Sequence, residues 1–220
     1  MPETAKDGTP LLETENKSLR AKGYRGYVGG NKGNWGPIGR LQFDYLKEHG
    51  LEPESVMLDV ACGSLRAGRH FIPYLNPGNY LGIDIEGDLI AAGLEFEVSA
   101  DLAAEKQPEF VVSDDFDFGR FSKIPDMAMA NSLFTHLVPS GIRRCLGQLA
   151  AHRHQGTVFY ATFFAVDQPR VNPETSDAHK GFFYTIDEMK SFAADANWTA
   201  VYIGDWGHPR GQKLMRFTTP

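Results

Sequence analysis

VMLDVACGSLRAG, residues 56–68, is an apolar run carrying a single acid, Asp59, that turns at Gly63 and passes into helix-forming sequence. An apolar run this short, bounded by a glycine turn, suits a strand buried on both faces. Working outward, NYLGIDI (79–85), EFVVSD (109–114), DMAMANS (126–132) and GTVFYATFF (156–164) have the same character. Amphipathic stretches lie between them. LRAGRHFIPYL (65–75) and DLIAAGLEFEV (88–98) read as helices, and Pro73 predicts a kink or an early end in the first. SGIRRCLGQLAAH (140–152) gathers Ile142, Cys145, Leu146 and Leu149 on one side.

The flanks extend this alternation. PIGRLQFDYLKEHG (37–50) predicts a helix opened by Pro37 and stopped by Gly50, with Ile38, Leu41, Tyr45 and Leu46 on one face. Thr185 and Glu188 form a capping-box pattern at the head of another helix. WTAVYIG (198–204) and QKLMRFTT (212–219) are the last strands, and only GDWGHPRG joins them. A parallel crossover needs about a dozen residues, so this pair is antiparallel. The fold class is therefore α/β: a doubly wound, seven-stranded, mostly parallel sheet with one antiparallel C-terminal strand and helices on both faces.

The 220 residues suit one such domain. Residues 1–20 are polar and predict a flexible tail, or an arm that orders on contact. Residues 21–220 form the domain. Within it, 21–50 supply an aromatic, glycine-rich loop and helix covering the site, and the polar insertion 165–184 is a candidate substrate lid. The net charge of −6 removes the simplest electrostatic reason to expect nucleic acid. Cys62 and Cys145 are the only cysteines, too few for a disulfide framework and without zinc-ligand spacing. No run reaches the roughly 18 apolar residues of a membrane span, and the N-terminus lacks the apolar core of a secretory signal. The expectation is a cytoplasmic protein with no metal, membrane or nucleic-acid partner.

In a doubly wound sheet the ligand lies beyond the carboxyl ends of the strands, where the strand order reverses. The first strand ends in Asp59-Val60-Ala61-Cys62-Gly63-Ser64, and the second in Asp84, 21 positions beyond Gly63. A carboxylate at that spacing is placed to accept from ribose hydroxyls. A dinucleotide would want G-x-G-x-x-G/A, but that frame here runs from Ala61 to Arg66, and a long arginine stands where helix and strand should pack closely. This argues against NAD and FAD. A cofactor without a pyrophosphate needs only one glycine of close approach.

Together, VMLDVACGSLRAG, YLGIDI, FVVSDDF and MAMANSLFTHL resemble, in order and spacing, the motifs of class I (Rossmann-like) S-adenosylmethionine (SAM) methyltransferases across residues 55–219. Ala61 departs from the usual first glycine. The resemblance implies SAM as cofactor. It gives the methionine ammonium to the Ala61 carbonyl and the Cys62-Gly63 turn, with Asp59 in support and Asn131-Ser132 facing the same group. Asp84 would take the ribose, and Ile85 the adenine face. Asp114 would take the adenine amino group, with Asp115 and Phe116 flanking the ring. Arg66 or Arg40 would hold the carboxylate.

His136, four residues beyond Ser132, is the candidate general base, since a neutral imidazole can take a proton from a hydroxyl or ammonium acceptor. Tyr27, Trp35, His208 and Arg210 are candidate substrate contacts, with plain packing or turn formation as the alternative for each. The implied activity is methyl transfer to an oxygen or nitrogen of a small molecule. A protein or peptide acceptor and a non-catalytic SAM-binding module are the other two readings.

Overall fold

The computed structural model describes residues 4–29 and 33–220. Parts of two sequence readings, the first three residues of the tail and 30–32 of the glycine-rich loop, lie outside the described residues. The described residues form eight strands: β1 (Met57–Val60), β2 (Tyr80–Asp84), β3 (Glu109–Val112), β4 (Met127–Ala130), β5 (Val158–Ala165), β6 (Phe183–Tyr184), β7 (Thr199–Gly204) and β8 (Lys213–Thr218). The sheet order is β3-β2-β1-β4-β5-β8-β7, and the short β6 pairs with β5 off this path. β8 alone runs against its neighbours, β5 and β7. The doubly wound plan thus holds, with the two-residue β6 as an addition.

The helices are α1 (Lys17–Lys22), α2 (Tyr24–Gly29), α3 (Trp35–Glu48), α4 (Gly68–Tyr74), α5 (Gly87–Phe96), α6 (Ala100–Lys106), α7 (Pro139–Ala151) and α8 (Ile186–Asp195). Pro73 lies inside α4, which runs one residue beyond it and is capped at Leu75, so the helix ends where the sequence reading put it and not early. α8 starts on the full capping box of Thr185 and Glu188. α3 opens at Trp35, two residues before Pro37.

Alternation along the strands divides the core between the two faces of the sheet. Leu58, Val60, Leu81, Ile83, Phe159 and Phe217 pack on the α7–α8 side. Met57, Tyr80, Met127, Met129 and Tyr160 pack on the α3–α4 side. Each fully buried large side chain contributes roughly 1.5–3 kcal/mol of transfer free energy. Asp59 shares the parity of Met57, so the strand itself drives a carboxylate into the second apolar layer.

The segment predicted as a loose tail is seated on the domain from Thr4 onward. Asp7 reaches α2, its carboxylate accepting from the Gly26 amide at 2.6 Å. Asn16 caps α1 through the Leu19 amide, and Leu19 is fully buried. Three contacts then tie this arm to α5 and the residues flanking it: the Thr14 hydroxyl donates to Asp88, Asn16 donates to Glu86 at 3.1 Å, and Tyr24 donates to Glu97 at 2.9 Å. The Glu97 carboxylate, only 2% exposed, also takes Arg25 and Arg69.

Candidate active site

The strand order reverses between β1 and β4, so the crevice opens beyond their carboxyl ends. The turn after β1 is tight. Ala61, Gly63 and Leu65 all have positive φ, at 61°, 54° and 57°. At Gly63 a Cβ would lie 3.0 Å from Val28 of the overlying arm, so only glycine leaves this approach free. The turn is pinned from below by α3 and α5. A Cβ on Gly39 would fall 2.1 Å from the Arg66 carbonyl, and one on Gly93 would fall 2.5 Å from Leu65.

Asp84 ends β2 and reaches across to this turn. One carboxylate oxygen accepts from the Gly63 amide at 2.8 Å, the other from the Glu86 amide at 2.9 Å. Each oxygen keeps a second lone pair for a ligand hydroxyl. Burial raises its pKa, against the pull of the Glu86 and Gly63 amides.

Two cavity lobes meet over Asp84, Ile85 and Ala61. The first, about 430 Å³, lies over β2 and β3 and is lined by Asp114, Phe116, Leu133 and Leu137. The second, about 340 Å³, lies over β1 and β4 and is lined by Cys62, Arg66, Asn131, Ser132, His136 and Arg210, with Tyr27 and Val28 of α2 above. Ile85 is 64% exposed and presents bare apolar surface to both lobes.

The turn after β4 is held by a relay. Ser132, at φ 63°, donates its amide to the Thr162 hydroxyl at 2.7 Å, and that hydroxyl donates to Gln212 at 2.7 Å. Asn131 donates to the Ser132 hydroxyl at 3.2 Å, while its buried Oδ1 has no donor among the described residues. A buried acceptor without a donor is costly, and a ligand ammonium would satisfy it. Arg66 is buried and makes one long bond, 3.4 Å, to the Val28 carbonyl.

No protein-family model matches the chain. Solved structures do resemble it. Magnesium protoporphyrin IX methyltransferase from Synechocystis, with bound SAM, superposes at a TM-score of 0.65 with 13% identity, covering 93% of each chain. DesVI from Streptomyces venezuelae gives 0.62 and 15%, covering 88% of this chain and 95% of that one. A glycopeptide N-methyltransferase complexed with S-adenosyl-L-homocysteine (SAH) gives 0.63 and 12%, covering 83% and 90%. The fold is that of the class I methyltransferases.

Within this class I methyltransferase fold the predicted cofactor residues separate into two sets. Ala61, Cys62, Gly63, Arg66, Asp84, Ile85, Asp114, Phe116, Asn131 and Ser132 line the joined lobes. Asp59 and Asp115 do not. Asp115 faces solvent in an ion pair with Arg144 at 2.7 Å, so of the two adjacent acids Asp114 is the one on the cavity. Arg40 points outward, 61% exposed and paired with Asp44, so of these two arginines Arg66 is the one on the cavity.

The candidate substrate contacts also separate. Tyr27 and Arg210 line the second lobe. Trp35 is buried beneath Arg25 and Arg69, whose guanidinium carbons lie 4.7 and 5.6 Å from its ring, and it lines neither lobe. His208 lies behind the wall, stacked on Trp206 at 5.6 Å, with Nδ1 accepting from the Arg210 amide at 3.3 Å. Burial, then Arg66 and Arg210, push its pKa down to about 4, so it is neutral at pH 7. The sequence reading did not single out Val28, Leu133, Leu137 or Ser176–Ala178, though Val28 and Ser176–Ala178 lie in the two segments it named as coverings. The last three bring the 165–184 insertion over the cavity.

Asp59 lies behind the turn, fully enclosed, and accepts from the Tyr80 hydroxyl at 2.9 Å. Burial pushes its pKa up to about 6, partly opposed by Tyr80 and Arg66. In this case the folded state holds the proton more tightly than the unfolded chain. The stabilisation from that proton is complete below about pH 4 and is lost as pH rises through about 6, a difference of about 3 kcal/mol. Asp59→Asn should flatten this dependence. Denaturant titrations of wild type and variant from pH 4 to 7.5 test it, and equal slopes would exclude Asp59 as the group.

Proposed function

We propose that the chain is a SAM-dependent methyltransferase acting on an oxygen or nitrogen of a small molecule. One observation carries the reading. Asp84, hydrogen-bonded to the Gly63 amide, stands where two lobes meet, one ending in Asp114 and Phe116 and the other in Asn131 and Arg66. That is the shape of an adenosine joined to an amino acid. Asp84 would accept from the ribose hydroxyls, Ile85 and Phe116 would enclose the adenine, and Asp114 would accept from its amino group. Asn131 Oδ1 would take the ammonium and Arg66 the carboxylate. The cofactor supplies a methyl group on a sulfonium, already an activated electrophile.

The protein's own contribution is alignment, exclusion of water and proton removal. Holding two reactants in line accounts for about 7–11 kcal/mol of barrier reduction in favourable cases. His136 is built for the proton. Its Nδ1 sits 2.8 Å from the Lys180 carbonyl, which fixes the proton there and leaves the Nε2 lone pair free. Burial lowers its pKa, so the ring is neutral at pH 7. Lobes of this size under an arm and an insertion suit a small acceptor better than a polypeptide.

Titration calorimetry with SAH is the direct test. Saturable one-to-one binding in the micromolar range is expected, and absence of heat at millimolar SAH would end the proposal.

A further inference from the structure

A third cavity, about 430 Å³, opens beside the second lobe and shares Tyr27, Val28, His136, Ala178 and Arg210 with it. The arm supplies Lys6 and Lys22 to its wall, and the insertion supplies His179. Its one acid among the described residues is Asp7, whose oxygens already accept from the Thr9 amide at 2.9 Å, the Thr9 hydroxyl at 2.6 Å and the Gly26 amide at 2.6 Å. Lys6, Lys22 and Arg210 form no ion pair with a carboxylate among the described residues. Lys22 instead meets His179 Nδ1 at 3.5 Å. Arg210 Nη2 is buried without an acceptor among the described residues. A chain of net charge −6 thus gathers three cations, none paired with a carboxylate among the described residues, in one recess beside the candidate base.

Buried donors without acceptors mark a missing partner, and a guanidinium fork matches the planar oxygens of a carboxylate or the face of a phosphate. Resting on the methyltransferase reading of the second lobe, we propose that the acceptor carries such an oxyanion, gripped by Arg210 in the third cavity with Lys6 and Lys22 supporting it, so that its nucleophile faces His136. Arg66 stands on the cofactor side of the same wall. Its pKa is lowered to about 10 by burial and then by Arg210, against the pull of Asp59.

The test is calorimetric titration of the full chain, with and without saturating SAH, at constant ionic strength. The probes are sodium benzoate, inorganic phosphate and, as the neutral counterpart, benzamide. At least one anion should bind saturably to the wild type and about tenfold more weakly to Arg210→Gln. Benzamide should give no saturable heat. The proposal is overturned if neither anion binds, if R210Q binds them as tightly as wild type, or if benzamide matches benzoate. Should R210Q lose its cooperative thermal transition, the Lys6→Gln, Lys22→Gln double variant decides: weaker anion binding supports the site, and unchanged affinity overturns it. Failure of SAH to bind the wild type sinks the cofactor reading separately, because the anion titrations without SAH still report on the recess.

Discussion

Asp84→Ala should weaken SAH binding by at least about 100-fold, and Asp84→Asn about tenfold. Hydrogen bonds to a charged group contribute about 1.5–3 kcal/mol each, and two ribose hydroxyls would make two. The asparagine keeps one acceptor oxygen but turns an amide group towards either the Gly63 or the Glu86 N–H, which then loses its partner. The alanine loses both anchors, so part of its effect comes from a looser Gly63 turn. Thermal unfolding measured beside the calorimetry separates that part. An SAH affinity unchanged in D84A would remove Asp84 from the site.

His136→Ala should lower kcat by about 10²–10⁴-fold while leaving SAH affinity unchanged within about twofold. The acceptor would come from a tritiated-methyl screen of small anions and their neutral analogues. The pH profile carries the sign. A base works when neutral, so wild-type kcat should fall as pH drops through the His136 pKa, which lies below the ordinary 6.5 because the ring is buried. The variant should lack that acid limb. A full-rate variant with an unchanged limb would leave His136 as a ring braced on the Lys180 carbonyl and nothing more.

The strands were legible because parallel interior strands are apolar on both faces. β1, β2 and β4 are buried at every position. α6 was not, because ADLAAEK buries no residue and so carries no periodic signal. α1 was hidden for the same reason, with Leu19 as its lone buried residue. At the site, Asp84 and the Gly63 turn followed from spacing along adjacent strands. The choice between Asp114 and Asp115, or between Arg66 and Arg40, depends on which way a turn or helix face points. That is fixed by packing partners far away in the chain, such as Arg144 on α7. Trp35 was misread because an aromatic beside glycines signals stacking without saying on what; here it stacks on Arg25 and Arg69.

The arm's anchors have a consequence for biosynthesis. Its bonds from Thr14, Asn16 and Tyr24 reach partners 74, 70 and 73 positions downstream. On the ribosome these residues emerge before any of their seats have been translated, at about 5–20 residues per second. For several seconds Leu19 and Tyr24 have nowhere to dock, and they offer nascent-chain chaperones an apolar handle. The arm therefore cannot dock before α5 has been made, and β3, which completes this half of the sheet, is made later still. The arm's docking would then roof the candidate site from above the Gly63 turn.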